Sequence, residues 1–220
     1  MEFNQLIDIM VGGTIETLYM TVVSTVLAYV FGIPLGVILF ITDKGGIAEQ
    51  SFLNRGLGVI VNLLRSVPFI ILLVAILPFT RFVVGTTIGA TATIVPLVVA
   101  ATPFVARMVE SSLKEVNSGV IEASLAMGST IFQIITKVLL PEARPSLIVG
   151  STIAITTILG YSAMAGFVGG GGLGSIAINY GYYRYQEDIM LITVVLLVLV
   201  VQIFQECGTK IASKTDKRKR

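Results

Sequence analysis

The sequence has no histidine and a single cysteine, Cys207. Most zinc sites, haem ligation, disulfides and histidine proton relays are thereby excluded. No Ser/His/Asp arrangement for nucleophilic catalysis can be built, and no pair of acids stands out for hydrolysis. No G-x-x-x-x-G-K-[ST] run occurs, so no loop can cradle the phosphates of a nucleotide. Charge is scarce: Asp, Glu, Lys and Arg make up 13% of the 220 residues, against about 25% in a soluble domain. The first ten residues, MEFNQLIDIM, carry Glu2 and Asp8 but no base, so a cleaved signal peptide is not expected. No polar stretch is long enough to bury a core of its own.

What is abundant is apolar length. Hydrophobic residues make up 55% of the chain, which predicts an all-α integral membrane protein forming a single transmembrane domain over 1–220. Five stretches are long and apolar enough to span a bilayer: about 14–41, 57–79, 86–109, 145–168 and 189–207. With the N-terminus outside and the C-terminus in the cytoplasm, 13 of the 15 basic residues face inward, and only Arg81 and Arg184 face outward. The positive-inside rule therefore predicts that orientation. The basic tail KTDKRKR reads as a topology anchor that touches anionic lipid head groups, not as a nucleic-acid site.

Pro34, Pro68, Pro96 and Pro103 fall inside the expected spans and predict kinks. GIPLG at 32–36 is a small-xxx-small pattern that predicts close helix packing. Arg65 falls inside the second expected span, where it either snorkels to the interface or sits beside a translocation path. GGGGLG at 169–174 formally satisfies G-x-G-x-x-G, but it follows a membrane span and not a strand, so a tight irregular turn is expected there. Tyr180, Tyr182, Tyr183 and Tyr185 precede the fifth span, as an interfacial aromatic belt or a docking surface. Glu187 and Asp188 adjoin Arg184, as solvated charge or as a protein contact. Glu16 and Glu206 lie near span ends, so no deep acid offers itself for ion coupling.

The polar connection 110–144 joins the third and fourth spans, on the cytoplasmic side in this orientation. VIEASLAMG reads as a helix that Gly128 ends, and Ile131, Ile134, Ile135 and Val138 form an apolar stripe at helical spacing. Ala123, Ser124 and Ala126 would let another surface come close, and Glu122 could accept a hydrogen bond from it. The same features also suit a hairpin that lies on its own bundle.

EASLAMG, nine residues and then VLLP resembles the EAA loop of ABC-importer permeases: E-A-A, three residues, G, nine residues, I-x-L-P. Ser124 and Val138 are mild departures from that pattern. RSVPFIILLV (65–74), PFVARMVE (103–110), GYSAMAG (160–166) and GGGGLG resemble the methionine-uptake subfamily, and the likeness extends over nearly the whole chain. The resemblance implies a coupling helix at Glu122, Ala123, Ser124, Ala126, Met127 and Gly128, supported by Val138, Leu140 and Pro141. It implies a multi-pass bacterial inner-membrane subunit that carries methionine, in L- and D-forms. Its partners would be a second copy of itself, two ATPase subunits that bind ATP and Mg, and an extracytoplasmic binding lipoprotein. The chain itself would be no enzyme and hold no cofactor. Tyr161, Ser162 and Met164, with Arg65, are the candidates to line or gate the path. A permease for another solute, a gradient-driven transporter and a membrane scaffold are the competing readings.

Overall fold

The computed structural model describes residues 3–215. Glu2 and the tail beyond Thr215, including Lys217, Arg218, Lys219 and Arg220, lie outside the described residues. Every regular element among the described residues is helical: α1 (Phe3–Ile41), α2 (Ser51–Ser66), α3 (Phe69–Ala75), α4 (Leu77–Val84), α5 (Ala90–Lys114), α6 (Ser118–Ala126), α7 (Ile131–Ile134), α8 (Leu140–Glu142), α9 (Arg144–Met164), α10 (Gly172–Ile176) and α11 (Glu187–Thr215). A π-turn, Ile135–Leu139, joins α7 to α8; a 3-10 turn, Ala165–Val168, follows α9; a second π-turn, Ala177–Tyr182, follows α10.

Helix α5 is the centre of the bundle. Leu97, Ala101, Val105, Val109 and Leu113 are all buried, four residues apart, and form one continuous stripe. Against it pack Met20, Ala28 and Val37 of α1, Ala154 and Ile158 of α9, and Phe69 and Leu73 of α3. Gly32 and Gly36 bring α1 onto α5: a Cβ at either would collide with Val105 or Val109. The expected close packing of GIPLG is what the structure has. Of the four stretches long and apolar enough to cross a membrane, α11 is the least enclosed and leaves most of its apolar surface outward, as a lipid-facing helix does.

Four helical stretches are long and apolar enough to cross a membrane, and a fifth qualifies only if α2 and α3 count as one bent span. The second expected span is thus sharply bent and not straight. The axis turns by 102° between Ser51–Ser66 and Phe69–Ala75. Pro68 offers no N–H, and Val67 before it is held extended (φ −79°, ψ 125°). Pro34, Pro96 and Pro103, by contrast, lie inside continuous helices. Arg65 occupies the last turn of α2, exposed, just before the bend. Helix α1 starts at Phe3, so Glu16 sits well inside it, and Glu187 and Asp188 form the first turn of α11, where acids suit the helix dipole. The connection expected from 110 begins later, because α5 runs on to Lys114.

At the end of the bundle away from α6, the glycine run makes the expected irregular turn. Gly169, Gly171 and Gly172 have φ of 78°, 82° and 69°, the left-handed region. Neighbouring helices satisfy the freed backbone. Gly89 N–H donates to the Gly169 carbonyl at 2.9 Å, and the Thr93 hydroxyl is shared between the Gly89 and Gly170 carbonyls. The Glu16 carboxylate accepts from Gly172 N–H at 2.6 Å, and the Thr17 hydroxyl accepts from Leu173 N–H at 2.8 Å. Non-helical backbone at membrane depth requires such partners.

Gly174 lies against the backbone of Ala163, with no room for a Cβ, whereas nothing lies within 4 Å of a Cβ placed at Gly160. Gly174→Val should therefore lower stability by about 1–3 kcal/mol through overpacking, while Gly160→Ala leaves it unchanged or raised. Thermal unfolding of the two variants in detergent, beside the parent, measures the difference.

Candidate functional site

The hairpin α6–α7 is built by local chemistry. The Asn117 side chain caps α6, accepting from Gly119 N–H at 2.8 Å. At the other end, Ser129 N–H donates to the Ser124 carbonyl (3.1 Å) and Gly128 N–H to the Leu125 carbonyl (2.9 Å). That pair of bonds is a Schellman motif, and it needs the positive φ of Gly128, 79°. A capping box then starts α7. The Thr130 hydroxyl accepts from Gln133 N–H, and the Gln133 side chain accepts from Thr130 N–H at 2.9 Å.

The return leg anchors the hairpin. Ile134 and Leu139 are fully buried and join the core that holds Leu113 and Ala143, with Ile135 and Val138 packed against it. Each buried aliphatic side chain contributes about 1.5–3 kcal/mol. Leu140 packs on the same core, and Pro141 is exposed in the short α8. Ile131 faces outward, so the expected stripe is buried from Ile134 onward only.

On the tip, Glu122, Ala123, Ala126, Met127 and Gly128 are exposed. Ser124 is not, and its expected place on an open small-residue surface is corrected. Its hydroxyl donates to the Val120 carbonyl at 2.7 Å, which allows the side chain to turn inward and be buried. Met127 is 77% exposed, and beside the turn Phe132 is 74% exposed. With Val120, Leu125 and Ile131 they give the tip an apolar surface that a folded helix normally covers. Phe132 went unnoticed in the sequence; its signal is the Thr130-x-x-Gln133 box, which fixes how α7 starts.

A charge network ties this end together. Glu110 is 6% exposed and lies between Arg107 at 2.6 Å and Lys114 at 2.8 Å. Arg107 also donates to the Gly58 carbonyl and the Asn62 side chain of α2, which ties α5 to α2. Lys114 reaches Asp43, in the loop after α1, at 3.0 Å. The hydrogen bond from Lys114, then that from the Lys44 backbone, holds the Asp43 carboxyl below its ordinary value. Its contribution is complete above the ordinary carboxylate range and is lost only as pH falls through the lowered value, so the pair is ionised at neutral pH.

The path candidates do not share one face. Tyr161 is half-buried and stacks on Phe69, centroids 4.6 Å apart. Ser162 is fully buried and donates to the Leu159 carbonyl at 2.8 Å, so it packs and does not line a path. Met164 is exposed. Arg65 lies on another element and outside this group. At the far end Tyr182, Tyr183 and Tyr185 are exposed, and Arg184 lies over the Tyr180 ring at 4.4 Å.

Comparison with known proteins places this geometry. Residues 32–207 match the family model described as binding-protein-dependent transport system inner membrane component. A probable D-methionine transport system permease protein MetI of Vibrio cholerae is 52% identical over 211 residues, 96% of this chain and 94% of that protein. The D-methionine transport system permease protein MetI of Escherichia coli is 54% identical over 158 residues, 72% of this chain and 73% of its own. A solved structure described as an inward-facing conformation of the MetNI methionine ABC transporter superposes with a TM-score of 0.96 at 49% identity, covering 99% of this chain and 100% of its own. An amino acid ABC transporter, 16% identical with a TM-score of 0.72, shares the fold. The chain belongs to the family of binding-protein-dependent transport system inner membrane components.

Proposed function

We propose that this chain is the membrane-spanning subunit of an ATP-driven importer that carries methionine, the D-form included. The carrying observation is the likeness to the MetNI methionine transporter over 99% of the chain at a TM-score of 0.96. The names of the D-methionine permeases, about half identical across most of the chain, support the substrate. The chain works as a pair of identical copies, with two ATPase subunits and an extracytoplasmic binding protein. ATP with Mg, held by the ATPase, supplies the free energy; this chain has no phosphate-cradling sequence.

Its own residues do the coupling. The exposed tip of Glu122, Ala123, Ala126, Met127 and Gly128 docks on the ATPase, with Phe132 beside it. Closure of the ATPases displaces α6. Because Ile134 and Leu139 share a core with α5 and α9, the displacement reaches the spans and shifts the bundle between inward- and outward-open states. Such a shift needs a partner that prefers one state over the other. Tyr161 and Met164 are the candidate contacts along the path. The docking face lies in the cytoplasm, the C-terminus with it and the N-terminus outside, supported by the crowding of Lys44, Lys137, Arg144, Lys210 and Lys214 toward the α6 end.

Three measurements test this reading. Vesicles holding the chain with its ATPase and binding protein should take up methionine only when supplied with ATP; uptake by the chain alone, driven by an ion gradient, would contradict it. Gly128→Asn preserves the left-handed turn, since Asn tolerates that conformation, yet puts a side chain into the docking face. It should insert and assemble while methionine uptake per ATP falls by a factor of roughly ten, the scale of a disturbed interface anchor. Uptake at the parent level would remove close docking at Gly128. A cysteine at Ser129, in a Cys207→Ser background, should react only with reagents supplied from the cytoplasmic side; labelling from outside would overturn the orientation.

A further inference from the structure

Helix α6 hangs from α5 through residues 115–117, so a displacement of α6 reaches α5 through the chain itself. The loop 42–50, which joins α1 to α2, lies beside α6 across a cleft of about 440 Å³ lined by Phe40, Asp43, Ile47, Ser118, Glu122 and Leu125. The loop is fastened to its own helices. Ala48 N–H donates to the Ile41 carbonyl and Gln50 N–H to the Thr42 carbonyl, and the Asn54 amide donates to the Leu39 carbonyl at 2.7 Å. Among the described residues, the Asp43–Lys114 pair is the one hydrogen bond or ion pair from this loop to α5 or α6. Lys114 continues to Glu110, and Glu110 to Arg107, which grips α2.

We propose that the Asp43–Lys114 pair is a positioning clamp that carries displacement of α6 to α1 and α2 as well as to α5. The proposal rests on the reading that α6 docks on an ATPase. Asp43 touches neither solute nor nucleotide; it acts by holding Lys114 against the loop. Ile47 packs the loop on the core that holds Leu113 and Val116, and the ion pair is the polar tie added to that packing, so removing the charge on one side lets the loop lag behind α6. The pair is half exposed, and its effect is therefore graded and sensitive to salt.

The test uses the complete transporter with Asp43→Asn and Asp43→Glu. Methionine moved per ATP hydrolysed should fall about two- to fivefold in Asp43→Asn and stay near the parent value in Asp43→Glu, which keeps the charge. Raising salt should lower the parent ratio toward that of Asp43→Asn and leave Asp43→Asn where it is. A second readout does not depend on the solute. Spin labels on cysteines at Lys44 and Ser118, with Cys207→Ser, should keep their separation when nucleotide is trapped in the parent and lose it in Asp43→Asn. A parent-like ratio in Asp43→Asn, or a fixed label separation in that variant, overturns the clamp. If the parent hydrolyses ATP but moves no methionine, the substrate reading falls, and the label separation alone decides the clamp.

Discussion

One buried stripe on α5, from Leu97 to Leu113 at every fourth residue, sets the position of everything else. Helix α1 lies along it through Gly32 and Gly36, α9 packs across it through Ala154 and Ile158, and α3 closes on it through Phe69 and Leu73. The same stripe continues past the membrane-length segment. Leu113 is buried in one core with Val116, Ile134, Leu139 and Ala143. The hairpin outside the spans is therefore an extension of the bundle's interior, not a loop attached to it. That continuity gives the mechanism its stiffness: a well-packed interior transmits displacement because it has few ways to yield.

The two ends of the bundle use different chemistry. At the α6 end, ion pairs among Arg107, Glu110, Lys114 and Asp43 join α5 to the loop after α1, and Arg107 hydrogen-bonds α2, where water can solvate what is left over. At the far end, the left-handed turn at 169–172 has its backbone groups met by Glu16, Thr17 and Thr93. A turn placed against spans cannot leave amides unmet, and short side chains from α1 and α5 supply the partners. Most of α11 offers no such ties and presents branched aliphatic residues outward.

Local signals were legible in the sequence and long-range ones were not. The hairpin could be read because Gly128 and the residues around it fix their own conformation within a few positions. The first, third, fourth and fifth spans could be read because hydropathy sums along the chain. The size of the bend in the second could not, because a hydropathy window counts side chains and is blind to the extended Val67 that Pro68 imposes. Ser124 and Ser162 misled for another reason. A hydroxyl on a helix can satisfy itself on a carbonyl three or four residues back, so a serine is no guide to which face is open. The Asp43–Lys114 pair joins residues far apart in the chain, and nothing local announces it.

The likeness to methionine permeases and the geometry meet at the tip of α6. A Schellman turn, a capping box and two buried aliphatic anchors hold Met127 and Phe132 outward, as the proposed docking on an ATPase requires. A photo-activated cross-linker placed at Met127, and separately at Phe132, in the assembled transporter tests that most directly. The account predicts adducts between this chain and the ATPase subunit at both positions. Adducts to lipid or to this chain alone, in a complex that still hydrolyses ATP and carries methionine, would contradict it.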